Sequence, residues 1–259
     1  MTIELNTVYH RTLIPTDAGY CSSWKYILHP SYSDTAKSSV SAFTLIQNEL
    51  LDLFKYVEPV VENQKCYSHR ILELFLRTCV EIEVNFKAIL LANGYEKKNL
   101  KKNLNIVDYY KLEKTHKLSK YIVTLPLFDI LNEEDNWYTR RPFSDWQYSE
   151  SKLSWWKDYN DVKHSRHEHF KQANLGNLLT AVYGLLVILS AQFFDGRVFT
   201  PIAGDMRVRT DPNILLYKGI GDFFYITFPA LDTWERKYSL NNDKPLSFIK
   251  HPDLKPTTK

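Results

Sequence analysis

Apolar positions recur along this chain at helical spacing, in long runs separated by punctuation. From Ser38 onward Val40, Phe43, Leu45, Ile46, Leu50, Leu53, Phe54 and Val57 fall every three or four residues, and Pro59 ends the run. Such spacing predicts an amphipathic helix. A second helix is predicted from Ser68, a residue suited to an N-cap, to Asn93-Gly94, a pair suited to a helix stop. Glu81 and Glu83 flank its apolar stripe, and Lys87 stands four residues beyond Glu83, where an intrahelical ion pair forms. A third helical pattern runs from about Ser151 to Phe194, with Asn174-Leu-Gly-Asn177 as a place for a kink or division. Its second half, LLTAVYGLLVILSAQFF (178–194), is apolar on every side but short for a bilayer span and carries Ser190 and Gln192. We therefore expect a buried core helix and no membrane partner.

The rest of the chain is less periodic. Residues 1–37 read as an irregular segment punctuated by Pro15, Gly19 and Pro30, with room for a short strand or two. Residues 96–120 are Lys-rich around IVDYY and read as a solvated face, with a phosphate-tracking groove as the alternative. Leu125–Ser149 reads as an ordered aromatic loop packed on helices. The two β-rich runs of 213–228, parted by Gly219-Ile-Gly221, suggest a hairpin. The expected architecture is mainly α: a bundle of long up-and-down helices over 38–195, followed by a C-terminal extension, 196–259, that holds the hairpin.

Composition narrows the function only by exclusion. A formal charge of +3 over 259 residues does not by itself imply a nucleic-acid partner. Cys21, Cys66 and Cys79 show neither CxxC spacing nor a disulfide framework. The N-terminus, MTIELNTVYHRT, has an acid at Glu4 and no continuous apolar core, so it does not read as a signal peptide, and a cytoplasmic location is expected. Neither GxSxG nor a P-loop is present, and no cofactor is expected.

Candidate chemistry gathers in WWKDYNDVKHSRHEHF (155–170). Turned through about 100° per residue, Trp155, Tyr159, Val162, Phe170 and Ala173 form a core face, with Arg166 in its middle. Asn160, Lys163, His164 and His167 form a neighbouring strip with Trp156. Asp161, Ser165, Glu168 and His169 point away from both. A guanidinium on a core face needs a partner, because desolvating it is costly. Glu81 or Glu83 of the second helix is one such partner; a phosphate held jointly with Lys163 and His164 is the other. His164 and His167 have the spacing of a metal pair, but no third ligand shares their face, so no metal is expected.

The tracts LFLRTCVEIEVNFKAIL (74–90) and WWKDYNDVKHSRHEHF, followed by the Ala/Leu-rich helix, resemble bacterial HEPN-like domain proteins. The likeness covers roughly 38–194, with YNDVKHSR as its most specific part and the Glu81–Lys87 pattern in support. It implies an all-helical bundle from a defence or toxin–antitoxin system that commonly forms a homodimer. In catalytic members, an Arg, a polar residue and a His on one helix cleave RNA without metal. Asn160 and His164 match the polar residue and the His. Tyr159 stands where that Arg would be, so Lys157 upstream or Arg166 downstream would have to supply its charge. Two readings follow. One is a metal-independent ribonuclease or RNA-binding component using His164, Asn160 and Arg166, with Lys163, Tyr159, His167 and Lys157 around the ligand. The other is a non-catalytic scaffold or antitoxin-like protein with a partner protein, in which the same strip fixes helix register. A small-molecule or nucleotide binder lidded by the hairpin is a further possibility.

Overall fold

The run that is apolar on every side becomes the axis of the molecule: in the helix Leu175–Phe193 every residue except Asn177 and Thr180 is buried. The structure, a computed structural model, describes residues 3–20, 24–96, 103–126, 138–149, 153–194 and 216–254. In chain order the elements are β1 (Thr7–Tyr9), α1 (Trp24–Ile27), α2 (Ala36–Phe54), α3 (His69–Ala92), α4 (Ile106–Tyr109), α5 (Lys111–His116), β2 (Ile122–Thr124), β3 (Thr139–Arg140), α6 (Ser154–His164), α7 (Arg166–His169), α8 (Leu175–Phe193), β4 (Leu216–Lys218), β5 (Tyr225–Thr227) and β6 (Ser247–Ile249). The protein is mainly α. Among the described residues α8 is the one helix long and apolar enough to cross a membrane, and 89% of that stretch is buried inside the fold.

Helices α2, α3 and α6 pack around α8. The stripe of α3 enters the core with Ile71, Phe75, Cys79, Ile82, Phe86 and Ile89 fully buried. Its start is fixed by Ser68, whose hydroxyl accepts the Ile71 N–H at 3.2 Å, and its end by Gly94, at φ +74°. That left-handed value suits glycine. Burial pushes the Cys79 thiol well above its usual range, so it packs as a small apolar group.

The aromatic segment after β3 docks on α3 and α6. Phe86 stacks on Tyr109 at 5.0 Å and meets Phe143 at 6.0 Å and Trp146 at 5.8 Å. Trp155 donates its indole N–H to the Pro142 carbonyl at 2.8 Å, which satisfies the polar edge of a buried ring. Trp137 lies outside the described residues.

The late strands join the body. β5 pairs antiparallel with both β2 and β4, giving a four-stranded order β3-β2-β5-β4. Gly221, in the turn between β4 and β5, has φ +80°, and a Cβ there would sit 2.5 Å from the Gln47 amide. That amide donates to the Gly221 carbonyl at 2.9 Å and ties the turn to α2. Residues 213–215 of the expected hairpin lie outside the described residues. β1 pairs in parallel with β6, so the irregular N-terminal segment holds a short strand, as its reading allowed, with Val8 and Leu13 fully buried.

Two helical boundaries differ from the periodic reading. α2 starts at Ala36 and stops at Phe54, short of Val57. The helical pattern from Ser151 is divided at Asn174, where the NLGN tract offered a division, and also at Ser165, where none was expected.

Candidate functional site at the α6–α7 edge

Ser165 sits at φ −140°, ψ 66° and ends α6. A new one-turn helix starts there, because Glu168 and His169 donate their N–H groups to the Ser165 carbonyl at 3.1 Å. The Ser165 hydroxyl donates to the Glu168 carboxylate at 2.9 Å. What holds the break is distant in sequence. Phe170 packs on Tyr67 at 5.4 Å and on His69 at 4.8 Å, beside the start of α3. Leu175 N–H donates to the Cys66 carbonyl at 2.9 Å, and Asn174 then caps α8 by accepting the Asn177 N–H at 3.0 Å.

The break resets the helical phase, which corrects the expected position of Arg166. Instead of lying in the middle of a core face, Arg166 is exposed on α7, past the end of α6. The remaining core-face residues keep their places: Trp155, Tyr159, Val162 and Ala173 are buried and Phe170 is half-buried. Trp156, expected on the polar strip, is buried as well.

The acid of α3 finds other partners. One Glu83 oxygen accepts the Tyr159 hydroxyl at 3.2 Å and the Lys163 ammonium at 3.4 Å, and the other accepts Lys87 at 3.3 Å. Lys163 also donates to the Tyr159 oxygen at 3.0 Å and lies 5.0 Å from the centre of that ring. Burial, and after it the Glu83 charge, keep the Tyr159 hydroxyl protonated far above neutral pH. Neither Glu81 nor Glu83 pairs with Arg166. Among the described residues Glu81 contributes its backbone carbonyl, which accepts the Asn85 amide at 2.9 Å.

Several residues expected around a ligand are occupied within the chain. The Asn160 amide donates to the Trp156 carbonyl one turn back, at 2.9 Å. Lys157 pairs with Asp161 one turn on, and that hydrogen bond lowers the Asp161 carboxyl below its usual range. His164, Arg166 and His167 differ from these. All three are exposed, and none of their side chains makes a hydrogen bond or ion pair among the described residues. They lie within four positions across the Ser165 break, at the open corner of α6 and α7. Among the described residues no group of three His, Cys, Asp or Glu side chains is arranged to hold a metal ion.

Sequence reasoning missed Asp158 and Asn177. The Asn177 amide donates to the Asp158 carboxylate at 2.7 Å and to the Gln172 carbonyl at 2.8 Å, locking α6 against the start of α8. The NLGN tract marks the division but does not name its partner on α6. Comparisons of the chain with protein-family models, with characterised proteins and with solved structures find no match.

Proposed function

We propose that this chain is a HEPN-like helical protein of a bacterial defence or stress system, acting in the cytoplasm, that binds RNA through the α6–α7 edge. The observation that carries this reading is the set of three solvent-facing groups His164, Arg166 and His167, whose side chains make no hydrogen bond or ion pair among the described residues, standing beside lysines that pair with Glu83 and Asp161. The Arg166 guanidinium, with no internal partner among the described residues, is available to phosphate and suits it with a fork of donors. Asn160, expected near the reacting atoms, and Tyr159, expected around the ligand, are taken up by Trp156 and Glu83. A single copy therefore binds without cleaving. A homodimer bringing two such edges together is the arrangement in which His164 would move the 2′-hydroxyl proton and Arg166 would stabilise the phosphorane.

Fluorescence anisotropy with single-stranded RNA over a salt series tests the binding. Each phosphate neutralised contributes a slope of roughly 0.7 in log affinity against log salt. Arg166→Ala is expected to remove about one such unit. A combined His164→Ala, Arg166→Ala, His167→Ala protein that binds RNA as the parent does would refute the assignment. In a parallel incubation with chelator the RNA is expected to stay intact; cleavage that His164→Ala abolishes would make the edge catalytic.

The Glu83 node favours a second reading, a non-enzymatic scaffold that meets a partner protein. There the strip fixes the register of α6 on α3, and RNA is not retained at any salt.

A further inference from the structure

Lys117 ends α5 in the left-handed conformation, at φ 54° and ψ 39°. A lysine is uncommon there, and a non-glycine residue held in that region is a reason to ask what its side chain does. It lines a cavity of about 140 Å³ between α5 and the C-terminal segment. Arg236 and His251 reach the same cavity from a part of the chain more than a hundred positions later. Its walls are Ile14 and Trp234.

The charges of this cavity are unevenly matched. Asp253 is taken by Lys114 at 2.9 Å. Arg236 makes one long bond, to the Tyr9 hydroxyl at 3.5 Å, and Lys117 makes no side-chain bond among the described residues. His251 is nearly buried, against the Tyr9 ring at 4.3 Å. Its Nδ1 accepts the Asp253 N–H at 3.2 Å, so the neutral ring carries its proton on Nε2, for which the described residues provide no acceptor. Burial pulls the His251 pKa down to about 4 against the Asp253 charge, with the Arg236 and Lys114 charges adding to the fall, so at neutral pH it is a neutral donor. Two cations and an N–H group thus border one small space whose carboxylates are Asp253, taken by Lys114, and Glu235. A second cavity of about 400 Å³ adjoins it, sharing Lys114 and Asp253 and extending past Tyr110 and Val107.

We propose that this is a binding site for a small phosphate monoester: Arg236, Lys117 and the His251 Nε2–H hold the phosphoryl group, and the organic part lies along the adjoining cavity beside Tyr110. Arg236 presents the fork that matches phosphate oxygens, and Lys117 adds a point charge. Glu235 lines the cavity and opposes an anion, so its neutralisation should strengthen binding. The site shares no residue with the α6–α7 edge, and neither assignment depends on the other.

Isothermal titration of the full chain with phenyl phosphate and, separately, with inorganic phosphate tests the proposal. Phenyl phosphate is expected to bind saturably and more tightly than inorganic phosphate. Arg236→Ala and Lys117→Asn, the latter chosen because asparagine tolerates the left-handed region, are each expected to weaken it about tenfold, the size of one lost charge-assisted bond. Glu235→Gln is expected to tighten it. Arg236 and Glu235 are exposed, so neither change opens the core, and thermal unfolding of each variant checks this. Absence of saturable binding overturns the proposal. So does equal affinity for the two probes, or affinity unmoved by both Arg236→Ala and Glu235→Gln.

Discussion

The imidazole of His116 donates from Nε2 to the backbone carbonyl of Arg11 at 3.0 Å, joining positions 105 apart in the chain. Its Nδ1 accepts the Thr115 hydroxyl at 2.8 Å. Both ring nitrogens are thereby used by a neutral ring with no exposed surface. Burial is the main reason that the His116 pKa falls to about 3, with the Arg11 hydrogen bond acting the other way.

That arrangement predicts acid lability. His116 at about 3 and His251 at about 4 both lie below the value near 6.5 that a histidine has in the unfolded chain. Between these values the unfolded state binds more protons, so stability is lost as pH falls below about 6.5. From pH 7 to pH 4.5 His116 alone should remove about 2 to 3 kcal/mol. Urea unfolding at stepped pH measures this, and His116→Gln should flatten the slope. A slope unchanged by that substitution would contradict the assignment.

Arg11 makes a second prediction. Its guanidinium is buried with no carboxylate bonded to it among the described residues: Nε donates to Gln192 at 2.9 Å, and one Nη donates to Ser33 at 2.9 Å and Thr35 at 2.6 Å. Burial lowers its pKa from the usual arginine value. Arg11→Ala should cost about 3 kcal/mol, combining a stranded Gln192 oxygen with a cavity beside Phe193. Arg11→Lys should lose nearly as much, because an ammonium lacks the fork. The denaturation midpoints of the two variants check this.

Phe86 lies where α3, α4, α6 and the aromatic segment meet. Phe86→Ala should cost about 3 to 5 kcal/mol. In a chain of this size that lowers the melting temperature by roughly 10 °C. A drop of only one or two degrees would mean that the aromatic segment does not close over α3.

Glu83 makes the gentlest prediction. Its lysine partners are 40% and 44% exposed, so screening keeps their attraction small, and Glu83→Gln should cost about 1 kcal/mol. In a double-mutant cycle with Tyr159→Phe, coupling measured by chemical denaturation should be positive and shrink with added salt. Zero coupling would remove the node that joins α3 to α6.

The sequence made α3 and α8 legible because their signals are local. Ser68, the stripe from Ile71 to Leu90 and Asn93-Gly94 specify one helix with its ends, and a run apolar on every side must be buried. The candidate edge was only half legible. Tyr159 and Val162 fall on the core face as periodicity requires, yet the same periodicity carried on through Ser165 and put Arg166 inside. Nothing near Ser165 announces the break; Cys66, Tyr67 and His69, almost a hundred positions earlier, hold it. His116, Arg11 and His251 escaped notice for a related reason. Polar residues give no local sign of burial when the groups that satisfy them come from remote segments.

The parallel pairing of Thr7–Tyr9 with Ser247–Ile249 bears on how the molecule is born. During synthesis β1 emerges early and waits for a mate made some 240 positions later. The Asn6 amide waits as well, since it bonds the carbonyls of Asn241, Lys244 and Pro245. Until then Val8 and Leu13 lack their final cover, and closing so long a loop is slow. A ribosome-bound nascent chain therefore carries this uncovered segment until β6 has been made, a natural client for a chaperone.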